Sequence, residues 1–234
     1  MRTFVYIDGF NLYHGCMQFS AYKWLDLKKL SELLLPGHEI ARIKFFTARV
    51  SARDDPDQPQ RQMTYWRALQ TISGLEIIEG TFYESTRSMP LAPECLRFKI
   101  INGRPPLVRV TKREEKGSDV NLGCHLVMDG FRKCYEQAAV ITNDSDLETP
   151  VRIVRQELKF PVWIINPHEH HSKKLKKWAS AMARIRQSDL AACQFNEILA
   201  DDIGQFHKPK KWSEPLPARR FEFSFWKGGM NRLK

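Results

Sequence analysis

No apolar run in this 234-residue chain reaches the roughly 20 residues that a membrane-spanning helix needs. The opening residues MRTFVYIDGF run directly into a strand-like stretch, without the pattern of a secretory leader. Paired cysteines are also missing. The five present (Cys16, Cys95, Cys124, Cys134 and Cys193) form no CxxC, and their odd number and spacing argue against a disulfide framework and a thiolate zinc site. There is no internal repeat and no glycine-rich nucleotide-binding signature. Together these absences predict reduced thiols and a cytoplasmic location.

What is present is enough for a real core, since 42% of the residues are hydrophobic. The net charge is +10, and it is uneven: residues 167–234 carry 14 Lys and Arg against 7 Asp and Glu. A basic surface suits a polyanionic partner, or simply solubility.

Short apolar runs alternate with amphipathic ones. TFVYID, EIARIKFFTARV, LEIIEGTFY, AAVITN and PVWIIN read as strands. Residues 26–35 read as a helix capped by Asp26 and stopped at Pro36-Gly37. A second helix runs through TYWRALQTI. Residues 84–106, with four prolines, read as an excursion or a β-hairpin, and PLVRVT as a strand. After Gly117, the apolar stripe Val120, Cys124, Val127, Phe131 and Cys134 predicts a helix capped by Ser118. Ser145 through Glu148 have the form of a capping box. Helices near 172–182 and 188–194 follow. This alternation predicts an α/β fold with a mostly parallel central sheet. The expected organisation is a domain over residues 1–195 and a basic, aromatic extension over 196–234.

Four carboxylates fall where predicted strands end and predicted helices begin: Asp8 in YIDGFN, Asp119 in KGSDVNL, and Asp144 and Asp146 in TNDSDL. In an open α/β sheet that edge binds ligands. Like charges about 4 Å apart repel by roughly 4 kcal/mol at an effective dielectric near 20, so gathered acids call for a hard cation such as Mg²⁺ or Mn²⁺. Singly, each acid also fits as a helix cap or turn residue. A phosphatase using Asp8 as nucleophile needs a second Asp two residues on, where this chain has Phe10. The D-x-D of NDSD, which some glycosyltransferases use, has no nucleotide signature beside it.

YIDGFNLYHG, KREEKGSDVNLGCHLVMDGF and AAVITNDSDLETPVRIVRQEL resemble, in order, the signature blocks of the NYN domain, in the LabA-like branch of the PIN-like nuclease superfamily. The resemblance implies a PIN-like three-layer α/β/α sandwich and a metal-dependent ribonuclease. It implies Asp8, Asp119, Asp144 and Asp146 as catalytic metal ligands for Mg²⁺ or Mn²⁺, with Asn11, Lys116 and Ser145 at the substrate. Asn143 stands where many relatives have glycine. The alternative is an RNA-binding regulator that keeps the pocket and cleaves little. RNA is the expected partner, and a homodimer through the extension is a further expectation. His168, Glu169, His170 and His171 read as a solvated loop, and KKLKKW as either a phosphate track or a solvated helix face. In the tail, Phe221, Phe223 and Phe225 alternate as on one face of a strand, with Arg219, Arg220 and Lys227 near, which suits docking or single-stranded RNA.

Overall fold

In the computed structural model, residues 1–52, 55–92 and 105–213 are described. Asp54, Cys95 and the alternating phenylalanines of the tail lie outside them. The sheet is built from β1 (Arg2–Asp8), β2 (Glu39–Thr47), β3 (Leu75–Glu79), β6 (Gln137–Ile141), β7 (Val162–Asn166) and β8 (Ala181–Arg184), in the order β3-β2-β1-β6-β7-β8. Every pairing in it is parallel. The order runs outward in both directions from β1 and β6, so the topology reverses between those two strands. This is a mixed α/β fold with a largely parallel central sheet.

Period-two alternation explains how the sheet is covered on both faces. Val5 and Ile7 point into one core cluster, with Trp24, Leu27, Leu30, Tyr65 and Leu69. Phe4 and Tyr6 point into the other, with Leu122, Leu126, Val151 and Val154. The first layer is supplied by α1 (Gly9–Leu12), α2 (Leu27–Leu34) and α3 (Gln58–Gln70), the second by α4 (Ser118–Phe131), α5 (Glu148–Gln156) and α6 (Lys173–Trp178). Strands buried on both faces read as unbroken apolar runs, as AAVI and WII do.

Several local expectations are corrected. The Ser118 cap is not formed. Gly117, at φ +99°, precedes the helix, and Ser118 is its first residue. Nor is the Ser145–Glu148 capping box. Asp144 caps a short 3₁₀ turn by accepting from the Asp146 N–H at 2.9 Å, and Glu148 instead accepts from the Trp178 indole at 3.0 Å. The predicted 172–182 helix stops at Trp178, and its last residues become β8.

The excursion after β3 is an antiparallel two-stranded arm, β4 (Thr81–Pro90) with β5 (Leu107–Lys116). Beyond α7 (Gln187–Ala192), the chain forms a hairpin of β9 (Ile198–Asp201) and β10 (Gly204–His207) that folds back on the domain. Phe206 enters the first core cluster, and Arg67 grips Asp201 with two 2.6 Å hydrogen bonds while stacking on Phe206 at 4.2 Å.

Gly9 is where close packing fixes the residue type. A Cβ there would meet the Phe46 carbonyl at 2.7 Å and the Phe45 ring at 2.8 Å. Gly9→Ala is expected to destabilise the protein by about 1–3 kcal/mol, since neither neighbour is a flexible side-chain tip. A melting curve unchanged by the substitution would show that β2 can yield here.

Candidate functional site

The C-terminal ends of β1 and β6 lie side by side at the reversal of strand order, where an open α/β sheet leaves a crevice. Asp8 ends β1 and is only 4% exposed. Its Oδ1 accepts the Asn11 N–H at 2.9 Å, which caps α1. Its Oδ2 accepts the Thr142 hydroxyl at 3.0 Å, and Thr142 Oγ1 in turn accepts the Asp144 N–H at 3.1 Å. Asp8 is thereby locked to the segment that follows β6.

Burial pushes Asp8 up to about 7, with the charges of Asp119 and Asp144 adding to the shift and the two hydrogen bonds opposing it. Asp119 is raised to about 6, by burial first and then by Asp144, Glu115 and Asp146. The fold therefore brings Asp8, Asp119, Asp144 and Asp146 into one electrostatic neighbourhood, with Glu115 beside them. Sharing a field is a weaker condition than sharing an ion. Among the described residues, no three His, Cys, Asp or Glu side chains are grouped so as to hold a metal. The donor set is all oxygen, but as arranged it does not form a coordination sphere.

The structure also places the residues expected to support the site. Asn11 Oδ1 accepts the Asn143 N–H at 2.9 Å and lies 3.1 Å from His168 Nε2, so it staples together the segments after β1, β6 and β7. Asn143 continues this tie: its side chain accepts the Ser172 N–H at 2.7 Å and donates to the His170 carbonyl at 2.9 Å. Ser145 opens the 3₁₀ turn. Lys116 ends β5 opposite Thr81, two residues before α4.

His168 and Thr142 were not expected at the site. Glu169, His170 and His171 are exposed loop residues as expected, but His168 is half-buried: Asn166, fully buried at the end of β7, fixes its backbone by accepting its N–H at 2.9 Å. Burial, and after it the nearby His14, pulls His168 below the ordinary histidine value. The sequence signal was the Asn-Pro-His directly after an apolar strand.

An aromatic rim flanks the acids. The Phe10 ring meets Phe82 of β4 edge-on at 5.5 Å and lies nearly parallel to His14 at 6.4 Å, and Tyr13 meets His14 edge-on at 5.3 Å.

No family model matches the chain. It is similar to the 6-hydroxy-3-succinoylpyridine 3-monooxygenase HspA of Pseudomonas putida, at 28% identity over 91% of this chain and 75% of that protein. It also resembles the crystal structure of a protein of unknown function from Vibrio parahaemolyticus, at TM-score 0.50 and 18% identity, covering 80% of this chain and 93% of the other. That second likeness shows the fold alone. These findings overturn the nuclease expectation. The relative that spans nearly the whole chain is a monooxygenase, no NYN or PIN-like model matches, and the acids do not converge as metal ligands. Assignment to the LabA-like branch, the ribonuclease activity and the RNA-regulator alternative are all corrected on this basis. Among the described residues no helix is long and apolar enough to cross a membrane.

Proposed function

We propose that this chain is a monooxygenase-type enzyme that acts on a hydroxylated aromatic ring at the crevice between β1 and β6. The observation that carries the reading is the 28% identity to a ring monooxygenase over 91% of the chain. The site's chemistry supports it. In the relative's named substrate, the 6-hydroxyl and the 3-position stand para to each other on the pyridine ring. Removing the hydroxyl proton raises the electron density at that para carbon, the position at which the relative's name places the oxygenation. A carboxylate that titrates near neutrality is matched to this proton transfer. Asp8 is such a group, held in place by Asn11 and Thr142. Asp119, raised to about 6, supplies a second acid whose charge adds to the rise of Asp8.

Monooxygenation consumes dioxygen and two electrons, places one oxygen atom on the ring and releases the other as water. A dinucleotide electron carrier does not fit the usual place for it in such a sheet. The N-terminus of α1 already holds the Asp8 carboxylate, whose charge opposes a pyrophosphate there. What the chain's own residues supply at this edge is the proton transfer and the placement of the ring.

The test is oxygen uptake by the purified chain with para-activated hydroxypyridines, with NADH or NADPH as donor, with and without added flavin. The expected result is ring-dependent uptake and one atom of labelled dioxygen in the product. Unlabelled product, or no uptake with any hydroxypyridine or phenol under these conditions, would overturn the reading.

A further inference from the structure

The β4–β5 arm is unusual in its economy. Among the described residues it is a two-stranded ribbon, and isolated hairpins of this kind are marginally stable in water. Its strand β4 is almost wholly exposed, yet its root is carefully fitted to the body. A Cβ on Gly80 would meet Glu115 Oε1 at 2.5 Å and Ser118 Oγ at 2.9 Å. The next residue but one, Phe82, turns its ring onto Phe10.

Phe82 is 39% exposed and does not belong to either core cluster. Phe10 is half-buried and His14 is exposed. Single apolar residues on a surface need no explanation, but three contiguous rings, one of them two residues from the buried Asp8, do. Phe10 follows Asp8 by two residues, and Phe82 is paired across the arm with Glu115, which itself bears on Asp119. The rim therefore draws on the segment that carries Asp8 and on the arm that leads into Asp119. Phe10 packs against both other rings, while Phe82 and His14 leave part of theirs to solvent.

We infer that Phe10, Phe82 and His14 form the platform for the substrate ring, so that the site takes small, planar, hydroxylated monocyclic aromatics and discriminates against saturated rings of the same size. The inference deepens the monooxygenase reading and rests on it for the chemistry, though not for binding. A planar ring gains offset or edge-to-face contacts with aromatic neighbours that a puckered one cannot reproduce. The platform also gives the β4–β5 arm a purpose, because it carries one wall of the site from outside the parallel sheet.

The experiment compares binding of 4-hydroxybenzoate and the saturated 4-hydroxycyclohexanecarboxylate to the wild-type chain, followed by NMR of the His14 and phenylalanine ring protons. Turnover is measured in parallel. The aromatic acid is expected to shift the His14 and Phe82 signals at saturation, and the saturated acid to bind roughly tenfold or more weakly, about 1.4 kcal/mol. Phe82→Ala is expected to raise KM for ring substrates about tenfold with a smaller change in kcat, and Phe82→Tyr to restore it. Equal binding of the two acids, or ring signals unmoved by a ligand that is turned over, would overturn the platform. Ring-selective binding without turnover of any hydroxypyridine or phenol would leave the platform standing and sink the monooxygenase reading instead. If Phe82→Ala unfolds, the wild-type shifts decide.

Discussion

Asp8→Asn is expected to yield a protein that melts higher than the wild type at pH 8, higher by a clearly smaller margin at pH 5, and has lost turnover. The sign follows from the direction of the shift. Burial raises Asp8 from 3.8 in the ordinary carboxylate to about 7 in the folded chain. The folded state then binds a proton more tightly than the unfolded one, so stability falls as pH rises through the interval between those values. Below about 4 both states are protonated and there is no penalty. Above 7 the folded chain carries a buried charge and the penalty is complete. A shift of about three units corresponds to a ceiling near 4 kcal/mol, and relaxation around the charge brings the expected gain to about 1–3 kcal/mol. For a chain of this size that is several degrees of melting temperature. Asparagine keeps an oxygen for the Asn11 N–H, so the cap on α1 survives.

Activity should move the other way. A side chain that removes a proton at the reacting ring contributes on the order of 10²–10⁴ in rate, and asparagine cannot do this. Wild-type turnover should accordingly climb as pH passes through about 7, where Asp8 ionises, while stability declines across the same range. Melting curves at the two pH values and a turnover profile check both halves. An equal rise in melting temperature at pH 5 and pH 8 would mean that the substituted asparagine simply packs better, and retained turnover would remove Asp8 from the reaction.

Much of this frame was readable from residue patterns. Alternating strands and helices gave the parallel sheet, and an acid directly after the run FVYI could hardly be anything but the end of a buried strand. The details that decide chemistry were not readable. Four acids at the ends of separate elements can share a field without sharing an ion, and the difference is a few ångströms of backbone placement that no spacing encodes. Ordered blocks resembling a nuclease thus came without a grouping of three metal-ligand side chains among the described residues. The Ser145–Glu148 motif failed for a related reason. Two partners were closer than the expected ones: the Asp146 N–H for Asp144, and the Trp178 indole for Glu148. His168 was missed because a run of adjacent polar residues looks like a solvated loop, although the buried Asn166 before it folds the backbone into the site.

The other large effect lies beneath the site rather than in it. Lys44 on β2 and Asp129 on α4 are 6% and 8% exposed, and they meet at 2.6 Å. The same carboxylate oxygen accepts the Tyr6 hydroxyl at 2.7 Å. His125 Nδ1 lies 3.1 Å from the Lys44 ammonium, which can only donate, so the imidazole is the acceptor there and carries its proton on Nε2. Burial, then the Asp129 charge, hold the Tyr6 phenol far above its ordinary range, so it remains a donor. Asp129→Ala leaves an ammonium and a phenol buried without their acceptor. The expected loss is about 3–5 kcal/mol, a large share of the roughly 5–15 kcal/mol typical of a whole domain. Glu79→Gln, which breaks the exposed pair with Arg49, should by contrast cost under about 1 kcal/mol. Replacing both charges with apolar groups, Lys44→Met with Asp129→Leu, should recover most of the loss, because the penalty comes from the unpaired charge rather than from losing a bond. Urea unfolding of the three variants tests this. A single variant no worse than the double would mean that water reaches Lys44. Tyr6 is two residues before Asp8 and Lys44 three before the end of β2, so the network also sets the floor on which the acidic edge stands. Turnover in the double variant, measured where it is fully folded, separates that support from stability alone.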